Sequence, residues 1–176
     1  MDRWGKPTKN TVIIQKAFLV PLIFFVASSL YAQTALDLIP DELVNANGEV
    51  HEAKLDGKFV GIYFSASWCP PCQFFSPELV KFRNENKEDF EVIYVSSDVS
   101  VKEQYKYMKK MKAEFGAVPY KGETSRKLAQ AFHVRYLPTL VIVSPEGKVL
   151  TMDGRGDINR LKNSALTNWK SNLNNP

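Results

Sequence analysis

The sequence predicts an α/β fold, a central sheet layered with helices. Three observations carry this. The apolar runs Lys58–Ser65 and Phe90–Asp98 are continuous, as strands buried on both faces require. Segments with apolar residues every three or four positions follow them, the spacing of a helix face. The chain then closes on a β-hairpin and a helix, which gives an α/β sandwich. With 176 residues, of which 44% are apolar, it has length for one domain plus a leader and material for an ordinary core. It shows no fixed-period repeat and no low-complexity tract.

In chain order, residues 1–32 read as an export signal, with an uncleaved N-terminal anchor as the rival. Arg3, Lys6, Lys9 and Lys16 give a basic start, and Ala17–Leu30 is free of charge. That run is short for a membrane span of about 20 residues. Small residues follow, with a cut expected after Ala32. On this reading the protein is exported: periplasmic if bacterial, secreted or luminal if eukaryotic. Contact with a membrane is then expected only if the leader stays attached.

The rest of the chain, 33–176, is the domain. Asn47-Gly48 marks a small hairpin between Leu43 and Ala53. After the strand Lys58–Ser65, a helix starts at Pro70 and Pro71, which a first helical turn tolerates. Pro77 lies inside that helix and kinks it. The strand Phe90–Asp98 comes next. Val101, Tyr105, Met108, Met111 and Phe115 then line one helix face, which Gly116 ends. Thr124 caps a further helix carrying Leu128 and Phe132. Pro138–Val143, the turn Ser144–Lys148 and Val149–Met152 form a hairpin. Asp157 caps a last helix whose inner face is Ile158, Leu161, Ala165 and Trp169.

The charge is +4 overall, but residues 1–32 hold four basic residues and one acid, so the domain is nearly balanced. A nucleic-acid surface needs a persistent basic face. The only locally basic stretch, Lys106–Lys112, reads as a solvated helix face, so no nucleic-acid partner is expected.

The chemistry concentrates at Trp68-Cys69-Pro70-Pro71-Cys72, which holds both cysteines of the chain. The thiolate is the reactive species in disulfide exchange. Cys69 stands where strand becomes helix, so unpaired N–H groups and the positive dipole end favour its anion. This makes it the exposed nucleophile. Cys72, one turn on, can attack a mixed disulfide at Cys69, so the pair suits capture followed by release. Pro70 and Pro71 stiffen the loop, and Trp68 shields the pair or packs the core. Redox exchange has rivals. A structural bridge suits an exported protein, but so short a loop constrains the unfolded chain by only about 2 kcal/mol. Zinc needs four ligands, and His51 and His133 stand at spacings that match no zinc module. A copper carrier wants a wider cysteine gap. Neither a flavin, nucleotide or metal motif nor any other cofactor signal is visible.

These motifs resemble the thioredoxin superfamily: W-C-P-P-C at a strand-to-helix junction, Pro77 in the following helix, and Tyr136-Leu137-Pro138-Thr139 as its cis-proline loop. Y-F-S-A-S-W-C-P-P-C, V-I-Y-V-S-S-D, A-V-P-Y and D-G-R-G-D-I are more similar to its tryparedoxin and nucleoredoxin branch, over about Leu38–Trp169. The resemblance implies a thioredoxin-like sandwich with a central mixed sheet, and a helix inserted after the third strand at Val101–Phe115. It also implies a cis bond at Leu137–Pro138 beside Cys69, and Leu137 and Thr139 as substrate-binding residues. The activity it implies is thiol–disulfide exchange, with Cys69 attacking, Cys72 resolving, and Trp68, Pro70, Pro71 and Pro138 in support. The expected direction is reduction of exported proteins' disulfides. An oxidant or isomerase, and a non-catalytic peptide-binding module, are the alternatives. Partners would be protein disulfides or dithiols and an unidentified electron donor, acting on a monomer. The sequence departs from the family at Tyr63, which stands where thioredoxins keep a buried aspartate. Proton acceptors for Cys72 are then water, Tyr63 or an acid such as Glu103. Gln73 replaces a basic residue, and Tyr136 replaces a small one. Arg155 reads as a loop charge with a possible substrate role, and Asp98 as a strand end that caps the next helix.

Overall fold

The computed structural model describes residues 34–174; the basic start and apolar run at residues 1–32 lie outside the described residues. Among those described, a short 3-10 helix (Leu36–Leu38) is followed by two short strands, β1 (Glu42–Val44) and β2 (Val50–Glu52). They pair antiparallel, Leu43 opposite His51. Their turn is held by the Asn45 side chain, which accepts from the N–H of Asn47 (2.8 Å) and Glu49 (3.1 Å). Gly48 takes φ +83°, open to glycine and strained for most other residues.

The main sheet has the order β4-β3-β5-β6, with β3 (Phe59–Ser65), β4 (Phe90–Ser96), β5 (Thr139–Val143) and β6 (Val149–Thr151). β3 and β4 run parallel, while β5 pairs antiparallel with β3 and with β6. The sheet is therefore mixed. Alternate residues of the central strands feed two cores. Phe59, Tyr63, Phe90, Val92, Tyr94, Leu140 and Ile142 face one side. Val60, Ile62, Phe64, Ile93, Val95, Val141 and Val143 face the other. Burial on both faces is why these strands read as unbroken apolar runs.

The first face is covered by α1 (Pro70–Glu85), α2 (Val101–Lys110), α4 (Gly154–Leu161) and α5 (Ser164–Asn174), and the second by α3 (Glu123–Ala131) with the chain around Ile39. The inserted helix α2 follows the fourth strand in chain order, once both arms of the first hairpin are counted. Its boundaries and inner face differ from the sequence reading. It stops at Lys110, where Met111 caps and Lys112 turns to φ +53°, six residues before Gly116. Its buried side is Gln104, Tyr107 and Met108, while Val101 is exposed. The last helical region is two helices, broken at Lys162 (φ +51°), and Leu161 at the break is exposed. Asp153, not Asp157, caps α4 by accepting from Gly156 N–H at 3.0 Å, and Asp157 instead accepts from the Trp169 indole at 2.9 Å. α3 begins at Glu123 after Gly122 and has no side-chain cap, so Thr124 lies inside it.

Candidate active site

Four residues link β3 to α1, and hydrogen bonds strap them from every side. Ser65 C=O accepts from Ser97 N–H (2.9 Å). Ser67 N–H donates to Asp98 Oδ1 (2.7 Å), and Ser67 C=O accepts from Gln73 Nε2 (2.6 Å). Trp68 donates its indole N–H to Ser97 C=O (3.1 Å), which leaves the ring 57% exposed beside the cysteines. Such strapping holds the following residue, Cys69, in a fixed place at the helix entrance.

Cys69 is the N-cap of α1, in extended backbone at φ −93° and ψ 107°. Pro70 and Pro71 fill the first two helical positions and bring no N–H. The first free donor of the helix is therefore Cys72 N–H, and it points at Cys69 Sγ over 3.3 Å. Cys69 and Cys72 form a disulfide, with Cα atoms 5.2 Å apart. The sequence led us to expect an exposed Cys69, but only 3% of it meets solvent and Cys72 is fully buried. Ala66 and Leu137 pack against the pair and cover it, while Pro70 and Pro71 stay exposed.

Leu137–Pro138 is a cis peptide bond. Leu137 meets the cysteine pair, and Pro138 is buried. Thr139 is buried as well, and its hydroxyl donates back to Tyr136 C=O (2.9 Å). Thr139 thus fixes the loop shape, while the exposed Tyr136 and the half-buried Leu137 form its outer surface.

Beneath the first turn of α1 lies a buried hydroxyl chain. Tyr63 Oη and Tyr107 Oη each meet Ser76 Oγ, at 2.9 and 2.8 Å, and Ser76 donates to Cys72 C=O at 2.9 Å. Burial pushes the Tyr63 phenol up to about 12, against the lowering effect of its hydroxyl partners. Tyr63 therefore stays protonated at neutral pH.

Three residues occupy unexpected places. Asp98 is fully buried and caps no helix; Ser100 does that by accepting from Glu103 N–H (3.2 Å). The Asp98 carboxylate instead gathers Ser67 N–H, Tyr94 Oη (2.9 Å) and Ser96 Oγ (2.7 Å). Gln73, standing where a basic residue was expected, relays to one: Lys110 of α2 donates to its Oε1 at 3.2 Å. Arg155 lines a cleft of about 200 Å³ with Pro71, Phe74 and Glu78, so it flanks the cysteine helix. The Asp98 role has a signal in the sequence, an acid following two serines at the end of a buried strand. The Lys110 relay has none, because it joins residues 37 apart. Glu103 pairs with Lys106 (3.7 Å), and His51 and His133 are exposed on separate elements.

Comparison with known proteins adds four matches. A family model described as thioredoxin-like matches residues 57–149. Mouse nucleoredoxin is 36% identical over 127 residues, covering 69% of this chain and 29% of its own length. Probable nucleoredoxin 1 of Arabidopsis thaliana is 42% identical over 124 residues, covering 67% and 21%. The chain thus spans less than a third of either curated relative. The solved tryparedoxin of Trypanosoma brucei superposes with a TM-score of 0.67 at 31% identity, covering 78% of this chain and 99% of that one.

These relatives correct the expected compartment. Nucleoredoxins and tryparedoxins are cytosolic and nuclear proteins, so the reading of an exported, periplasmic, secreted or luminal protein does not stand. It rested on composition: a basic start, the uncharged run Ala17–Leu30 and the small residues around Ala32.

Proposed function

The chain belongs to the thioredoxin-like family, in its tryparedoxin and nucleoredoxin branch of thiol–disulfide oxidoreductases, and from that premise we propose that Cys69 and Cys72 reduce protein disulfides in two steps. In the reduced protein, the Cys69 thiolate attacks one sulfur of a substrate disulfide. The substrate S–S bond breaks, a mixed disulfide forms at Cys69, and the departing thiolate takes up a proton. Cys72 then gives up its proton and attacks Cys69 Sγ. The second substrate thiolate leaves and is protonated. Two electrons and two protons have passed to the substrate, and the protein carries the Cys69–Cys72 disulfide, which an external dithiol must reduce.

The observation that carries this reading is the single backbone donor aimed at Cys69 Sγ, left by two prolines that supply none. A donor at a helix N-terminus favours the sulfur anion, which is the nucleophile of the first step. Trp68, the proline pair and the cis Leu137–Pro138 loop frame the approach, and Leu137 presents an open backbone edge to an extended substrate. Protein thiols are the general kind of partner this family takes. The reductive direction rests on the resemblance.

In an insulin-reduction assay, Cys69→Ser abolishes turnover and forms no mixed disulfide. Cys72→Ser also loses turnover but accumulates a mixed disulfide through Cys69. Unchanged turnover in Cys69→Ser ends the proposal. Equilibration with glutathione buffers fixes the direction: a potential near about −270 mV supports the reductant, and one near about −120 mV overturns that part.

A further inference from the structure

We propose that the protein selects substrates with acidic residues flanking the target disulfide, and that Lys121, Arg126 and Arg135 receive those carboxylates. This rests on the oxidoreductase reading above and deepens it. Beside the cis-proline loop opens a pocket of about 500 Å³, within the range of small-ligand and peptide sites. Its floor is apolar, built from Phe64, Val95, Ala129, Val134 and Leu137, with Ser97 and Ser125 as polar points. Three cations stand around it, and no carboxylate lines it.

All three cations are exposed, and among the described residues none of them makes an ion pair. Arg126 donates to Lys121 C=O at 3.5 Å and adds a weaker pull on the Glu123 carboxylate, and Lys121 lies over the Tyr120 ring. The nearby carboxylate of Glu123 is engaged by Lys127 at 2.7 Å. The domain is close to charge balance, so this cluster is a local feature and not the average of a basic surface.

Two residues tie the pocket to the reacting sulfurs. Leu137 forms its wall and also packs on the Cys69–Cys72 pair. Ser97 lines it and holds the Trp68 indole through its carbonyl. A strand advances about 3.4 Å per residue. A substrate whose cystine lies at Cys69 therefore sends the next few residues over Leu137 and Tyr136 into the pocket. Unpaired rim cations act there mainly on encounter rate and partner choice.

The test uses the full chain, pre-reduced, in single turnover with homodimeric cystine peptides flanked by Glu, Gln or Lys. Rapid quenching measures the release of peptide thiol. The Glu peptide reacts about tenfold faster than the Lys peptide at low salt, with Gln between. The gap narrows at about 0.5 M salt, where screening is short-ranged. The double variant Arg126→Glu/Arg135→Glu inverts the order of the Glu and Lys peptides. Lys54→Glu/Lys87→Glu, an equal charge change outside the pocket, keeps it. Equal rates for all three peptides, or an inversion by the outside variant as well, overturns the pocket proposal and leaves the oxidoreductase reading intact. No reaction with any peptide overturns the oxidoreductase reading, and the pocket proposal with it.

Discussion

At the residue scale, the site depends on single polar groups held in low-dielectric surroundings. Asp98 is the anchor of the loop before Cys69, since its carboxylate accepts from one backbone N–H, of Ser67, and from the hydroxyls of Tyr94 and Ser96. Replacing it by Ala leaves those donors without their acceptor, each unsatisfied group costing about 1–3 kcal/mol. Asp98→Ala should lower stability by about 3 kcal/mol in urea unfolding and slow disulfide reduction, because the strap on Ser67 is lost. Full stability in the variant would show that water replaces the carboxylate. Tyr63 makes a prediction in pH. Its folded value, about 12, lies above the ordinary 10.0, so the folded state holds the proton more tightly than the unfolded one. The stabilisation is complete below pH 10 and is lost as pH rises from 10 to about 12, by at most about 2–3 kcal/mol. Tyr63→Phe removes that ionisation, so its melting temperature should fall less steeply than the wild type's across this window. The Tyr63 role is not written in spacing or periodicity. Tyr63 looks like any strand aromatic, and its meaning appears only when Ser76 and Tyr107 close around it.

At the element scale, what was legible was the interior and what was not was the ends. Strands β3, β4 and β5 announce themselves because both their faces are buried and nearly every residue is apolar. The pattern in α5 also survives, with Ala165 and Trp169 buried as expected. Helix ends are decided by competition among neighbouring polar residues, which a single sequence does not resolve. Asp153 won the cap from Asp157 because Asp157 is taken by Trp169 and Arg160. Elements are also joined by pairs that sequence distance conceals. Arg83 of α1 forks onto Glu91 of β4 with bonds of 2.8 and 2.7 Å, and both side chains are largely shielded from solvent. A two-pronged, shielded pair is stronger than an exposed one, and removing Glu91 leaves Arg83 only the exposed Glu114 (3.6 Å) and Asn84 (3.2 Å). Glu91→Ala should therefore cost about 2 kcal/mol in chemical denaturation. Arg83→Lys should recover little of it, since an ammonium lacks the planar fork. If Arg83→Lys matches the wild type, simple charge attraction accounts for the joint.

At the scale of the whole molecule, the fold class and the strand-to-helix placement of the cysteines could be read from the sequence, because motif and apolar pattern agreed, while the cis-proline loop came from the family resemblance alone. The wider platform could not. Residues 116–118 act as a hidden strand between β1 and β4, too short and too mixed in composition to show a period. Ala117 exchanges two hydrogen bonds with Val44 (2.8 and 2.9 Å), while Tyr94 N–H donates to Gly116 C=O (2.9 Å) and Val118 N–H to Tyr94 C=O (3.0 Å). The first hairpin and the main sheet thereby become one continuous surface, and the exposed edge of β4 is covered, as sheet edges need to be. Gly116 permits this approach. A Cβ there would lie 2.7 Å from Leu43 Cβ and 2.9 Å from His51 Cε1, inside van der Waals contact. The Leu43 atom next to the backbone cannot swing away, so Gly116→Ala must push the hairpin off the sheet, at about 1–3 kcal/mol. For a chain of this size that is a fall of roughly 2–12 °C in melting temperature. The site is built beyond the ends of β3 and β4, where Ser97 and Asp98 hold the loop, past the residues that pair with the hairpin. Amide exchange should therefore quicken at Val44 and Ala117 while the protection of Ser97 and Cys72 is kept. If all four amides lose protection together, the hairpin is part of the same cooperative unit as the cysteine helix, and the platform transmits strain to the site.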